Sequence, residues 1–123
     1  MSGFTVRYAG GHTSGTNTTS RGAVFFASAA TSTIRNALID NTRQQGLRVT
    51  GSTRLSLGNT RISNHTAKIS GSAAGISLES PATVVMDSVS FTNNEIDITG
   101  SGTITCSGAT CGTPTSSPAG LLQ

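Results

Sequence analysis

Cys106 and Cys111 are the only cysteines in the chain and stand in the stretch "TCSGATCG", with four residues between them. Two thiols so placed admit four roles: a redox pair, half of a metal site, a disulfide, or two small apolar side chains in a core. A redox pair takes a shorter spacer and ordinarily a helix N-terminus, and a structural zinc takes two further ligands. The two histidines, His12 and His65, lie in the polar stretches "AGGHTSG" and "NHTAK", with no cysteine or second histidine at ligand spacing. No metal or other cofactor is therefore expected. Serine is plentiful, but no Gly-x-Ser-x-Gly occurs, and the glycines of "GSGTITCSG" lack the Lys-Ser/Thr of a phosphate loop.

Composition narrows the classes further. Of 123 residues only 11% are charged and 4% aromatic, while Ser, Thr, Gly and Asn abound, with Val and Ile spaced singly among them. This disfavours amphipathic helices and suits strands with many turns. The net charge of +3 comes from scattered arginines and Lys68. Without a basic cluster, no nucleic-acid partner is expected. No apolar run is long enough for a membrane span. The start, "MSGFTVRYAGG", has no secretion-signal layout and opens on a strand-like alternation, so a piece of a longer secreted or particle-borne protein is expected. The glycosylation sequons at Asn17 and Asn64 carry little weight in a chain this rich in Ser, Thr and Asn.

These residues are positioned by a repeat. Four segments, beginning at Gly22, Gly46, Gly75 and Glu95, align on their apolar residues: "GAVFFASAATSTIRNALIDN", "GLRVTGSTRLSLGNTRISN", "GISLESPATVVMDSVSFTNN" and "EIDITGSGTITCSGATCGT". Each reads as three short strands separated by small-residue turns. The first strand aligns Ala23, Leu47, Ile76 and Ile96, then Phe25, Val49, Leu78 and Ile98. The second aligns Ser32, Leu55, Val84 and Ile104, then Ile34, Leu57, Met86 and Cys106. The third aligns Val6, Ile39, Ile62, Phe91 and Cys111. Period-two alternation puts each set on one face of its strand, and stacking the repeats makes continuous apolar columns with rungs about 4.8 Å apart. Two residues beyond the third strand's inward position come Asn41, Asn64 and Asn93. Asn suits a left-handed corner, and stacked amides bond one another, so a structural Asn ladder is expected there.

This pattern, over roughly residues 4 to 113, resembles the right-handed parallel β-helix of the pectin-lyase-like superfamily and of bacterial surface and phage tail proteins. The resemblance implies an all-β domain spanning 1–123, of about four to five rungs with three strands each. Residues 4–8 would form a partial first rung, 9–21 a polar loop, 22–113 the stacked rungs and 114–123 a flexible tail. The open ends would be covered by the rest of a longer β-helix chain or by a homo-oligomer.

In families of this kind, polysaccharide-cleaving members place carboxylates and an Arg or Lys base on an outward strand face. The least unlikely counterparts here are Arg48, Glu79 and Asp97. The alignment puts Glu79 and Asp97 on adjacent rungs two positions apart, a diagonal of roughly 7 to 8 Å. A retaining glycosidase uses carboxylates about 5 Å apart and an inverting one up to about 9 Å. With five acidic residues in all, a solvated surface with stray charges is the simpler reading. Arg7 and Asp40 fall at equivalent outward positions and make a candidate exposed ion pair. Arg35 and Asp87 share a column with Gly58 between them.

The leading expectation is thus a non-catalytic structural segment of a secreted bacterial surface or phage tail protein, presenting a Ser/Thr/Asn-rich surface with polysaccharide or cell-surface glycan as its candidate partner. A fragment of a lyase or hydrolase acting on acidic polysaccharide comes second. Ice or crystal-surface binding comes last, because the outward columns of the first strand mix Thr with Arg, Glu, Phe and Ser. Sugar specificity would lie in the insertions Ala9 to Arg21 and His65 to Ala74. Cys106 and Cys111 fall inward on the last rung, where they fill core. A disulfide across the corner is open to them if their Cα atoms lie within about 4.4 to 6.8 Å.

Overall fold

A computed structural model describes residues 3, 5–7, 22–27, 29–41, 45–66, 73–108 and 110–123. The strands are β1 (Thr5–Arg7), β2 (Gly22–Phe26), β3 (Thr31–Arg35), β4 (Leu38–Asp40), β5 (Gln45–Val49), β6 (Arg54–Ser63), β7 (Ala74–Leu78), β8 (Thr83–Thr92), β9 (Ile98–Gly100), β10 (Thr103–Cys106) and β11 (Ser116–Ser117). No helix occurs among the described residues, and the chain is all-β. The strands form a six-stranded sheet (β1, β3, β4, β6, β8, β10) and a five-stranded sheet (β2, β5, β7, β9, β11), with every pairing parallel. From β4 onward the chain alternates between the two, so each strand lies beside its counterpart one repeat earlier.

In the two middle repeats the second and third strands are not separate. In β6 and β8 they run on as single ten-residue strands. Each of these strands bends at a residue with positive φ, Asn59 (45°) or Ser88 (57°), and Asn36 (53°) stands at the same place between β3 and β4. A short polar side chain tolerates the left-handed region, so the ladder turns there without breaking.

Between the sheets lie the apolar columns. Leu55, Val84 and Ile104 stack in register, as do Leu57, Met86 and Cys106, and Ile39, Ile62 and Phe91. Ala37, Thr60 and Val89 are also buried, an inward set that the alignment had not singled out. The Thr60 hydroxyl is satisfied by donating to the Gly58 carbonyl at 3.0 Å.

The first strand departs from the expected register at both ends of the repeat. β2 pairs Val24 with Leu47 and Phe26 with Val49, so these two, and not Ala23 and Phe25, head the columns. The run "AVFF" is apolar at every position and carries no phase; the neighbouring ladder sets it. In the fourth repeat Ile98 pairs with Ile76, and Gly100 with Leu78, a shift of two from the expected Ile96 and Ile98. Gly100 has φ 127°, and a Cβ there would run into the Leu78 carbonyl oxygen. Only glycine fits that close approach.

The segment 114–123, expected as a flexible tail, instead continues the pattern. Its β11 pairs with β9, Leu122 bridges to Ile104, and the Gln123 N–H donates to the Ile104 carbonyl at 3.0 Å. Leu121 and Leu122 pack against the core. The expected polar loop 9–21 lies outside the described residues.

Candidate functional site

The three candidate catalytic residues do not come together. Arg48 Nη2 donates to Glu79 Oε1 at 2.6 Å across one rung of the five-stranded sheet. The corrected register sets Arg48 beside Ser77 and Ser77 beside Thr99. Asp97 is displaced two positions toward the start of its strand, in the row of Gly75. Strand geometry then puts its backbone about 14 Å from that of Glu79, beyond either glycosidase spacing.

Asp97 is occupied by the chain around it. Its Oδ2 accepts from the Thr115 N–H at 2.8 Å and the Thr115 hydroxyl at 3.1 Å, and its Oδ1 accepts from Asn94 Nδ2 at 2.9 Å. These bonds dock the last segment onto the repeat before it. Arg48 and Glu79 form an ion pair whose side chains are 22% and 53% exposed; such a pair contributes about 0 to 1 kcal/mol.

The corner residues form two ladders. Asn41, Asn64 and Asn93 have φ of 52°, 60° and 55°. Asn93 Nδ2 donates to Asn64 Oδ1 at 2.9 Å, but Asn64 Nδ2 donates onward to Asp40 Oδ1 at 2.7 Å, so the chain of amides ends on a carboxylate and not on Asn41. Asp40 is buried, its Oδ1 also accepting from the Ser63 hydroxyl at 2.7 Å. Arg7 and Asp40 are register partners in β1 and β4, as expected, though Asp40 is buried and not exposed; the Arg7 side chain lies outside the described residues. The second ladder, Asn59 Nδ2 to Asn36 Oδ1 at 2.8 Å, went unread in the sequence. Its signal was available: Asn36, Asn59 and Ser88 each stand five residues before the Asn of the first ladder.

His65 is fully buried, which corrects its expected place in a polar insertion. Its Nε2 lies 3.1 Å from the Ile39 carbonyl, and its backbone N–H donates to Asn94 Oδ1 at 3.1 Å. The ring packs on Gly46, where a Cβ would sit 2.7 Å from Nε2. His12 and most of both insertions lie outside the described residues. Arg35 lies over Gly58, its Nη1 2.8 Å from where a Cβ would be. Cys106 and Cys111 are disulfide-bonded, with Cα atoms 6.2 Å apart, and Cys111 is buried in the core. Among the described residues no three His, Cys, Asp or Glu side chains gather as a metal site, and no helix is long and apolar enough to cross a membrane.

The largest concavity described, about 510 Å³, lies on the outer face of the six-stranded sheet. One wall is the column Thr31, Arg54, Thr83 and Thr103, and the other is Ser56, Val85 and Thr105, whose column continues beyond the groove to Thr33. This two-column array is more regular in Thr than the first-strand columns on which the sequence reading relied. Comparison of the chain with protein-family models, curated proteins and solved structures finds no match.

Proposed function

We propose that this chain is a segment of right-handed parallel β-helix serving a structural role in a secreted bacterial surface or phage tail protein, and that it presents its outer faces to glycan. The observation that carries the reading is the ladder itself: parallel strands alternate between two sheets, in register from rung to rung, over stacked apolar columns. Parallel crossover connections are right-handed in the great majority of cases. The outward carboxylates support a structural role, because Asp97 docks the final segment and Glu79 is bonded to Arg48. The open sheet edges would pair with more of the same ladder, from a longer chain or a second copy.

A glycan array combined with mass measurement in solution and a turnover assay on polyuronates tests this. Binding to at least one glycan without cleavage is the expected result. Cleavage that disappears in Arg48→Ala and Glu79→Gln would replace this reading with that of a polysaccharide-degrading fragment.

A further inference from the structure

The groove on the six-stranded sheet gathers several hydroxyls, one arginine and one exposed apolar side chain in a single concavity. Some hydroxyls elsewhere are engaged: Thr99 donates to the Ser117 carbonyl at 3.1 Å, Thr53 to the Thr50 carbonyl at 2.8 Å, and Thr110 to the Ser107 carbonyl at 2.9 Å. Along the groove, the side chains of Thr31, Ser56, Thr83, Thr103 and Thr105 make no hydrogen bond to any described residue. Each leaves one donor and two acceptor positions open. Val85, 51% exposed, is the one large apolar side chain described as exposed, and it stands in the middle of this array. No carboxylate lines the groove; Arg54 does, and its guanidinium has no ion-pair partner among the described residues.

We infer that this groove binds a linear glycan that is largely neutral and carries sparse oxyanion groups, lying along the stacking axis with one anionic substituent on Arg54. The inference rests on the glycan-presenting reading above and names its site and ligand class. Sugar hydroxyls donate and accept along their whole length, as the two walls require, and Val85 meets an apolar C–H face. Four rungs span about 14 Å and contain a single cation. A chain charged on every sugar would therefore leave anions unpaired in the groove, whereas one charged at intervals would not. The guanidinium fork takes carboxylate, sulfate or phosphate in two parallel bonds, so the shared chemistry is an oxyanion.

Titration calorimetry on the full chain tests this with four hexasaccharides: a neutral glucan, the same glucan with one sulfate, the same with one carboxylate, and a hexagalacturonate. The two singly charged ligands should bind about tenfold more tightly than the neutral one, the gain of one charge-assisted pair, and Arg54→Ala should remove that difference. Thr83→Trp, which fills the trough with a residue that strands accept, should weaken all groove binding at least about tenfold, while Thr99→Trp on the other sheet should not. Circular dichroism verifies that each variant is folded. Hexagalacturonate binding most tightly, or binding that survives Thr83→Trp unchanged, overturns the groove and leaves the general glycan reading standing. No binding by any of the four overturns the groove, and an empty glycan array overturns the wider reading as well.

Discussion

On the outer face of the five-stranded sheet, Arg48 is tied to Glu79 across a rung and the Thr99 hydroxyl donates to the Ser117 carbonyl. On the outer face of the six-stranded sheet, the side chains of Thr83, Thr103 and Thr105 meet no described hydrogen-bonding partner. The two faces share one backbone ladder and one core, so the difference lies in the use of side chains. Where a side chain bonds the next rung it adds to the stability of the stack; where it bonds nothing it is available to a ligand. Charge alone pointed to the first face and its Arg, Glu and Asp, whereas the accounting of hydrogen bonds points to the second.

Graded substitutions test that division. The largest effect belongs to the corner beside the five-stranded sheet: Asp40→Ala strands the Ser63 hydroxyl and the Asn64 amide, two buried or half-buried donors. It should cost about 3 kcal/mol in urea unfolding. Asp97→Ala removes three hydrogen bonds to Thr115 and Asn94 and should cost about 2 kcal/mol. Its hydrogen exchange should rise first at Thr115 and beyond, while exchange in β6 stays unchanged. A double-mutant cycle on Arg48 and Glu79 should yield a coupling of at most about 1 kcal/mol, diminished by salt. Smallest of all, Thr103→Val on the other face should leave stability within about 0.5 kcal/mol. A large loss there would mean that its hydroxyl holds the ladder together, and the contrast between the faces would fall.

Legibility in the sequence followed the local pattern. The columns through Leu55, Val84 and Ile104 and through Leu57, Met86 and Cys106 could be read because polar residues or glycine separate the apolar ones in most repeats, Val85 being the exception, and so fix one phase of period two. "GAVFF" offers no phase, and "EIDITG" offers two that differ by a whole pleat. Both were resolved by the ladder: β5 sets β2, and Leu78 takes the space that two glycines leave open, its backbone at Gly100 and its side chain at Gly102. His65 was misplaced because its polar neighbours suggest solvent, while its burial depends on Gly46, nineteen residues earlier. Asp97 looked available because a carboxylate in sequence carries no record of Thr115 approaching it.

The sequence by itself determined that the chain is all-β, that its apolar residues recur in stacked sets, and that Asn stands at one corner of three successive repeats. Those features follow from alternation and from the backbone preferences of single residues, which are local. Only the tertiary structure decided which polar groups are occupied: Asp40, Asp97 and His65 by the neighbouring rungs, and Thr31, Thr83, Thr103 and Thr105 of the groove by no described side-chain hydrogen bond. A hydrogen bond between rungs joins residues about two dozen positions apart, and whether it forms depends on register to within one residue, which no local pattern encodes.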